Sequence, residues 1–171
     1  MQSDSKKPES EVVGWYALKV FYNRTERVRE EISGLAKEIY APRNVISSLM
    51  FVRTTPAKLE YIRKDHYKHL KVYSQPGERT PYVIPDREMA AFRLVADHFH
   101  EGMLILQDEA YTRFREGGRV RVKEGPFKGA EGYIKRIRKD RRLLVAIEGV
   151  IAVATSYIPP ENLEPVPEPE A

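Results

Sequence analysis

Residues 117–134, GGRVRVKEGPFKGAEGYI, set five glycines and a proline among valines that alternate with charges. A period of two belongs to a strand with one buried face, and a helix cannot use it. Val120 and Val122 alternate with Arg119, Arg121 and Lys123; Ala130, Gly132 and Ile134 alternate with Glu131, Tyr133 and Lys135; Leu143, Val145 and Ile147 repeat the pattern. Turn signals fall at EGPFKG, RKDR and EG. Five strand-length runs within about fifty residues cannot cover both faces of an open sheet, so a small curled barrel is expected. Gly125, Gly129 and Gly132 are expected to supply positive φ or a bend. Glycine density and the period of two across 118–155 both oppose a helical form of this segment.

Charge follows the same division. The chain has 171 residues and a formal charge of +4, but Arg115 to Arg142 holds 11 lysines and arginines against four acidic residues. From Leu143 to Ala171 there are five glutamates and no cation. The basic segment attracts a phosphate backbone and the acidic end repels one. There is no cysteine, which excludes disulfides and thiolate zinc sites. No apolar run approaches the roughly 20 residues that span a bilayer, and the polar MQSDSKKPESE start has no signal-peptide core, so no membrane partner and a cytoplasmic location are expected.

The front half mixes both periods. WYALKVF, residues 15–21, reads as a central strand; in the segment after it, Asn23 and Glu26 have capping-box spacing, and Val28, Ile32, Leu35 and Ala36 form a helical stripe. EIYAP and VISSLMFVRTT read as strands, Thr55 and Pro56 as the cap and first residue of a short helix, and LKVYSQ as a further strand. Asp86 opens a third helix with Met89, Phe92, Ala96 and Phe99 on its face. The expected fold class is α+β: an antiparallel sheet with flanking helices, then the barrel. The boundaries read as a disordered leader 1–11, a front domain 12–107, a linker 108–116, a barrel 117–166 and a disordered tail 167–171.

Gly118-Arg-Val-Arg-Val-Lys-Glu-Gly-Pro-Phe-Lys-Gly-Ala-Glu-Gly132 resembles the KOW motif, carried by Gly118, Val120, Val122, Gly125, Pro126, Phe127, Gly129 and Gly132. Trp15-Tyr-Ala-Leu-Lys-Val20, a helix opening with Arg24-Thr-Glu26, and a strand ending Leu49-Met-Phe-Val52 are similar to the NusG N-terminal (NGN) domain. Together, over about residues 12–166, they resemble the NGN-KOW arrangement of the NusG family of transcription elongation factors, with an SH3-like barrel in the rear. TPYVIPDREMAAF and the ending IEGVIAVATSYIPPENLEPV are closest to the operon-specific UpxY/RfaH-like branch of antiterminators. The segment between EIYAP and VISSLMFV is shorter than is usual there, and Ser47-Ser48-Leu49 stands where the family has Pro-Gly-Tyr or Pro-Asn-Tyr.

The resemblance implies a monomeric regulator that grips the clamp helices of RNA polymerase through Tyr16, Leu49, Phe51 and Ile62. It also implies contact with the non-template DNA strand, for which the candidates are Arg24, Arg27, Arg63, Lys64, Lys68 and Lys71. Tyr67 and Tyr73 lie among these cations, where they could stack on unpaired bases. Phe127, at a loop tip, is expected to meet a partner such as a small-subunit ribosomal protein or Rho, the altered last strand speaking against Rho. Arg136, Arg138, Lys139, Arg141 and Arg142 form a basic hairpin tip suited to nascent RNA or to solubility alone. Since KOW modules also occur in ribosomal proteins, an RNA-binding scaffold of that type is the alternative. No P-loop, nucleophile elbow or dinucleotide fingerprint occurs, and the pairs His66/His69 and His98/His100 have no carboxylate set. No catalysis, metal or cofactor is therefore expected.

Overall fold

The computed structural model describes residues 8–169. The leader and tail expectations fall partly outside the described residues; within them, Glu9–Glu11 forms a 3-10 turn and Glu168 accepts a hydrogen bond from the Tyr133 hydroxyl at 2.5 Å. The chain divides into two compact units, Met1–Pro85 and Asp86–Ala171.

The front unit is built on a four-stranded antiparallel sheet of order β2-β3-β1-β4, from β1 (Gly14–Val20), β2 (Glu38–Tyr40), β3 (Leu49–Thr54) and β4 (Leu70–Val72). Alternation splits β3: Met50 and Val52 join Tyr16, Leu18 and Val20 in a core with Val28 and Ile32 of helix α1 (Thr25–Ile32) and Leu59 and Ile62 of helix α2 (Pro56–Asp65). Leu49 and Phe51 point to the opposite face of the sheet. Helix α2 starts as its sequence dictates, with the Thr55 side chain accepting from the Lys58 amide and Pro56 in the first turn. Helix α1 does not form the expected capping box. Asn23 takes φ 55°, Arg24 becomes the cap without a side-chain bond, and the Thr25 hydroxyl instead donates to the Ser47 carbonyl at 2.6 Å.

The rear unit opens with helix α3 (Asp86–Asp97), which packs on β8 (Asp140–Ile147) and β9 (Ile151–Tyr157). Its sheet is six-stranded and antiparallel, of order β10-β6-β7-β8-β9-β5, with β5 (Leu104–Leu106), β6 (Arg119–Val122), β7 (Glu131–Ile137) and β10 (Leu163–Pro165). The strands after residue 117 follow one another as the alternation calls for, β6 to β9 side by side and β10 returning to β6, and form the small barrel that the resemblance describes as SH3-like. Two assignments differ from the sequence reading. Helix α3 and strand β5, read as the end of the front domain, lie in the compact unit that contains the barrel, because β5 pairs with the free side of β9. The segment 108–116, read as a linker, forms a short helix α4 (Glu109–Thr112) capped by Asp108, followed by Phe114, which is buried against Tyr133 and Ile137.

The glycines divide by task. Gly125 and Gly129 take φ of 92° and 91°, where a side chain is strained. Gly132 needs space instead: a Cβ there would lie 2.3 Å from the Leu144 carbonyl oxygen.

Candidate nucleic-acid interface

Among the described residues of the front unit the most exposed large apolar side chain is Tyr22, 78% accessible, and it stands on a strained tip. Tyr22 and Asn23 both take positive φ, 60° and 55°. A left-handed conformation costs about 1–2 kcal/mol in a residue with a Cβ, and asparagine tolerates it better than tyrosine. The tip is pinned from below, where the Phe21 amide donates to the His69 carbonyl at 2.7 Å and thereby ties the β1–α1 loop to the α2–β4 turn. That turn presents Tyr67, 67% accessible, with the Lys68 ammonium 5.7 Å from its ring centroid. The His69 ring meets Tyr22 edge-on at 6.3 Å. Two wet aromatic faces and interleaved cations are what an unpaired nucleic-acid strand requires, since bases stack and phosphates pair.

The six cations expected to touch DNA separate by their partners. Arg27 is held by Glu31 at 3.0 Å. Arg63 is paired with Glu60, which lowers the Glu60 carboxyl from its ordinary value through that hydrogen bond, and Lys64 stands 4.0 Å from the same carboxylate. Among the described residues Arg24, Lys68 and Lys71 have no ion pair, and Lys71 lies directly across from Lys19 on the neighbouring strand. Arg24 and Lys68 therefore lie beside Tyr22 and Tyr67 in the two tied loops, while Arg63 and Lys64 are drawn off along helix α2. Tyr22 was missed in the sequence; its signal, an aromatic beside asparagine just after a strand, is weak without the backbone angles.

His69 gives this corner a pH response. His66 is buried, with Nδ1 3.5 Å from Glu31 and Nε2 3.4 Å from Asp65. His69 has its pKa lowered from the ordinary 6.5, first by desolvation and then by the charges of Arg24, His66 and Arg27, against a smaller opposing effect of Glu31. A depressed histidine is neutral in the fold and takes up its proton more readily when unfolded, so its contribution is complete above the ordinary value and is lost as pH falls through the depressed one. The unfolding midpoint of the front unit is expected to drop as pH falls below the ordinary imidazole range, and His69→Gln to shallow that slope. Denaturant titrations followed by Trp15 fluorescence measure it; an identical slope in the variant contradicts the assignment.

The other expected sites are corrected by burial. Tyr16, Leu49, Phe51 and Ile62 are at most 3% exposed, so none presents an open apolar surface. Tyr16 and Ile62 sit in the core beneath the helices, on the face opposite Leu49 and Phe51. Phe127, expected to stand in solvent, is 6% exposed. The turn closes through Lys128 N–H to Gly125 O and Gly129 N–H to Val122 O, and the Phe127 ring meets His98 edge-on at 6.2 Å. Of the other motif positions, Val122 is buried, Val120 partly so, and Gly118, Gly125, Pro126 and Gly129 are exposed. Among the described residues no group of three or more metal-ligating side chains converges, and no helix is long and apolar enough to cross a membrane.

No family model matches the sequence, and no curated protein does. Among solved structures, the chain is similar to NusG from Thermotoga maritima, with a TM-score of 0.50 and 20% identity over 91% of this chain and 98% of that one. That likeness shows the fold. The MjSpt4:Spt5 complex aligns over 92% of this chain and 99% of the other, but at 12% identity and a TM-score of 0.33 it carries no argument.

Proposed function

We propose that the chain is a transcription elongation regulator that binds RNA polymerase through its front unit, reduces pausing or termination, and uses its rear barrel to recruit a partner. One observation carries the reading: a fold similar to NusG along nearly the whole chain, with the residues of the KOW-like motif forming the β6–β7 corner of the barrel. The protein acts by binding energy alone. The tied loops around Tyr22, Arg24, Tyr67 and Lys68 hold an unpaired DNA strand by stacking and phosphate contact, which keeps the enzyme's open bubble from rearranging into a paused state. Leu49 and Phe51, buried as they are, serve a polymerase contact only once uncovered.

The wild-type chain is expected to co-elute with core polymerase and, in an assembled elongation complex, to crosslink to the non-template strand. The Tyr22→Ala/Arg24→Ala variant is expected to keep the co-elution and lose crosslinking about 5- to 150-fold, the range for one lost base-stacking contact. Failure of the wild type to co-elute sinks the proposal. Recovery of ribosomal RNA in place of polymerase favours a ribosomal-type RNA scaffold instead.

A further inference from the structure

The β7–β8 hairpin of the rear unit gathers exposed cations at a tip whose turn and cross-strand pairing both disfavour them. Ile137 pairs with Asp140, so the connection is a two-residue turn of Arg138 and Lys139, and both take positive φ, 51° and 73°. Such turns favour asparagine followed by glycine, because a Cβ is strained at both positions. One step down the ladder, Arg136 faces Arg141 directly, an arrangement that destabilises a strand pair. Arg136, Arg138, Lys139 and Arg141 are all exposed, and among the described residues none of them has an ion pair.

The neighbouring charges have other tasks. Lys135 lies over the rings of Phe114 and Tyr111, at 4.3 and 5.6 Å. Arg142 is buried and donates to the carbonyls of Gly102 and Thr155 at 2.8 and 3.1 Å, and it draws the hairpin's acid, Asp140, to 3.5 Å. Residues 134–137 of β7 lie beyond the pairing with β6, and Asp140 and Arg141 of β8 lie beyond the pairing with β9, so the hairpin tip projects past its neighbours. Protecting those two open edges accounts for charge on the strands, but not for an arginine and a lysine at two left-handed turn positions. A second observation gives the ligand's chemistry. Tyr157 on β9 is paired across from Arg142, at the same end of the sheet, and is 54% exposed.

We propose that this hairpin tip and Tyr157 form a second binding site, specific for single-stranded nucleic acid, in which the four cations, Arg136 steadied by its bond to the Lys139 carbonyl at 3.3 Å, follow the phosphates and Tyr157 stacks on a base. The proposal does not rest on the transcription reading, since it concerns the rear unit's own surface. To isolate it, the full chain carrying Tyr22→Ala/Arg24→Ala is titrated with fluorescent oligouridylate, oligodeoxythymidylate and, as a polyanion without bases, heparin. Log affinity against log salt is expected to have a slope of about −2.8, from roughly −0.7 for each of four phosphate contacts.

Arg138→Asn/Lys139→Gly restores a turn-forming pair, so the variant is expected to melt at a higher temperature than its parent while its slope shrinks by about 1.4. Tyr157→Leu is expected to weaken oligonucleotide binding about 5- to 150-fold and leave heparin unchanged. Stronger binding of the uridylate identifies RNA as the natural strand, and stronger binding of the thymidylate identifies DNA. Unchanged oligonucleotide affinity in the hairpin variant overturns the site. Equal losses for heparin and oligonucleotides, with no effect of Tyr157→Leu, overturn its assignment to nucleic acid.

Discussion

Gly132→Ala is expected to cost the rear unit roughly 3 kcal/mol or more, the upper end of what overpacking a well-filled interior does. The added carbon would sit 2.3 Å from the Leu144 carbonyl oxygen and 3.3 Å from a Leu143 methyl. A flexible side chain could turn aside, but a backbone oxygen in a ladder cannot. Gly132 pairs with Val120 on one side, and on the other its neighbour Tyr133 pairs with Leu144, so relief on either side breaks a strand pairing. Gly118→Ala is the control, because nothing lies within 4 Å of its added carbon. Urea unfolding of the full chain followed by far-ultraviolet circular dichroism reads both. A loss for Gly132→Ala no larger than for Gly118→Ala refutes the close approach.

Phe51→Ala is expected to destabilise the front unit by about 3–5 kcal/mol, as for a large aromatic cut out of a packed interior. The side chain is fully buried, its ring stacks on Tyr40 at a centroid distance of 6.2 Å, and its backbone pairs with Ala17 and Tyr40. Domains are stable by only about 5–15 kcal/mol, so this one substitution removes a large part of the margin. Trp15, the chain's single tryptophan, lies on the neighbouring strand and reports the transition. The result governs how binding data are read. Loss of polymerase binding in a Phe51 variant identifies a contact only if Trp15 shows the front unit still folded, and a change below about 1 kcal/mol would mean the site relaxes far better than aromatic cores usually do.

Where structure follows from neighbours in the chain, the sequence sufficed. Thr55-Pro56 starts a helix through its own hydroxyl and ring, and alternation from Val120 to Ile147 produces strands wherever it occurs. The family resemblance led to the NusG-like fold. Burial was not legible in the same way. Alternation correctly parted Leu49 and Phe51 from Met50 and Val52, yet it could not say that both sides would be covered. Phe127 was misplaced because a glycine-rich loop looks solvent-facing on paper, whereas its own turn bonds swing the ring inward. Asn23 failed as a cap for a related reason: the Phe21–His69 bond holds the loop so that residues 22 and 23 both turn left-handed. Ion pairs across one helical turn also sorted the cations: Arg27 takes Glu31 and Arg63 takes Glu60, while Arg24 and Lys68 have no ion pair among the described residues, a choice among neighbouring carboxylates that spacing alone leaves open.

Strand β5 bears on how the protein is taken apart. It caps β9, whose Ile151–Thr155 backbone carries side chains buried without exception. A recombinant fragment begun at the glycine pair would discard that cover and leave a greasy, unbonded flank, the kind of surface on which like molecules add to one another. Cutting just before Asp86 keeps the flank sealed and retains α3 over β8 and β9. The severable piece is thus larger than the motif that announces it.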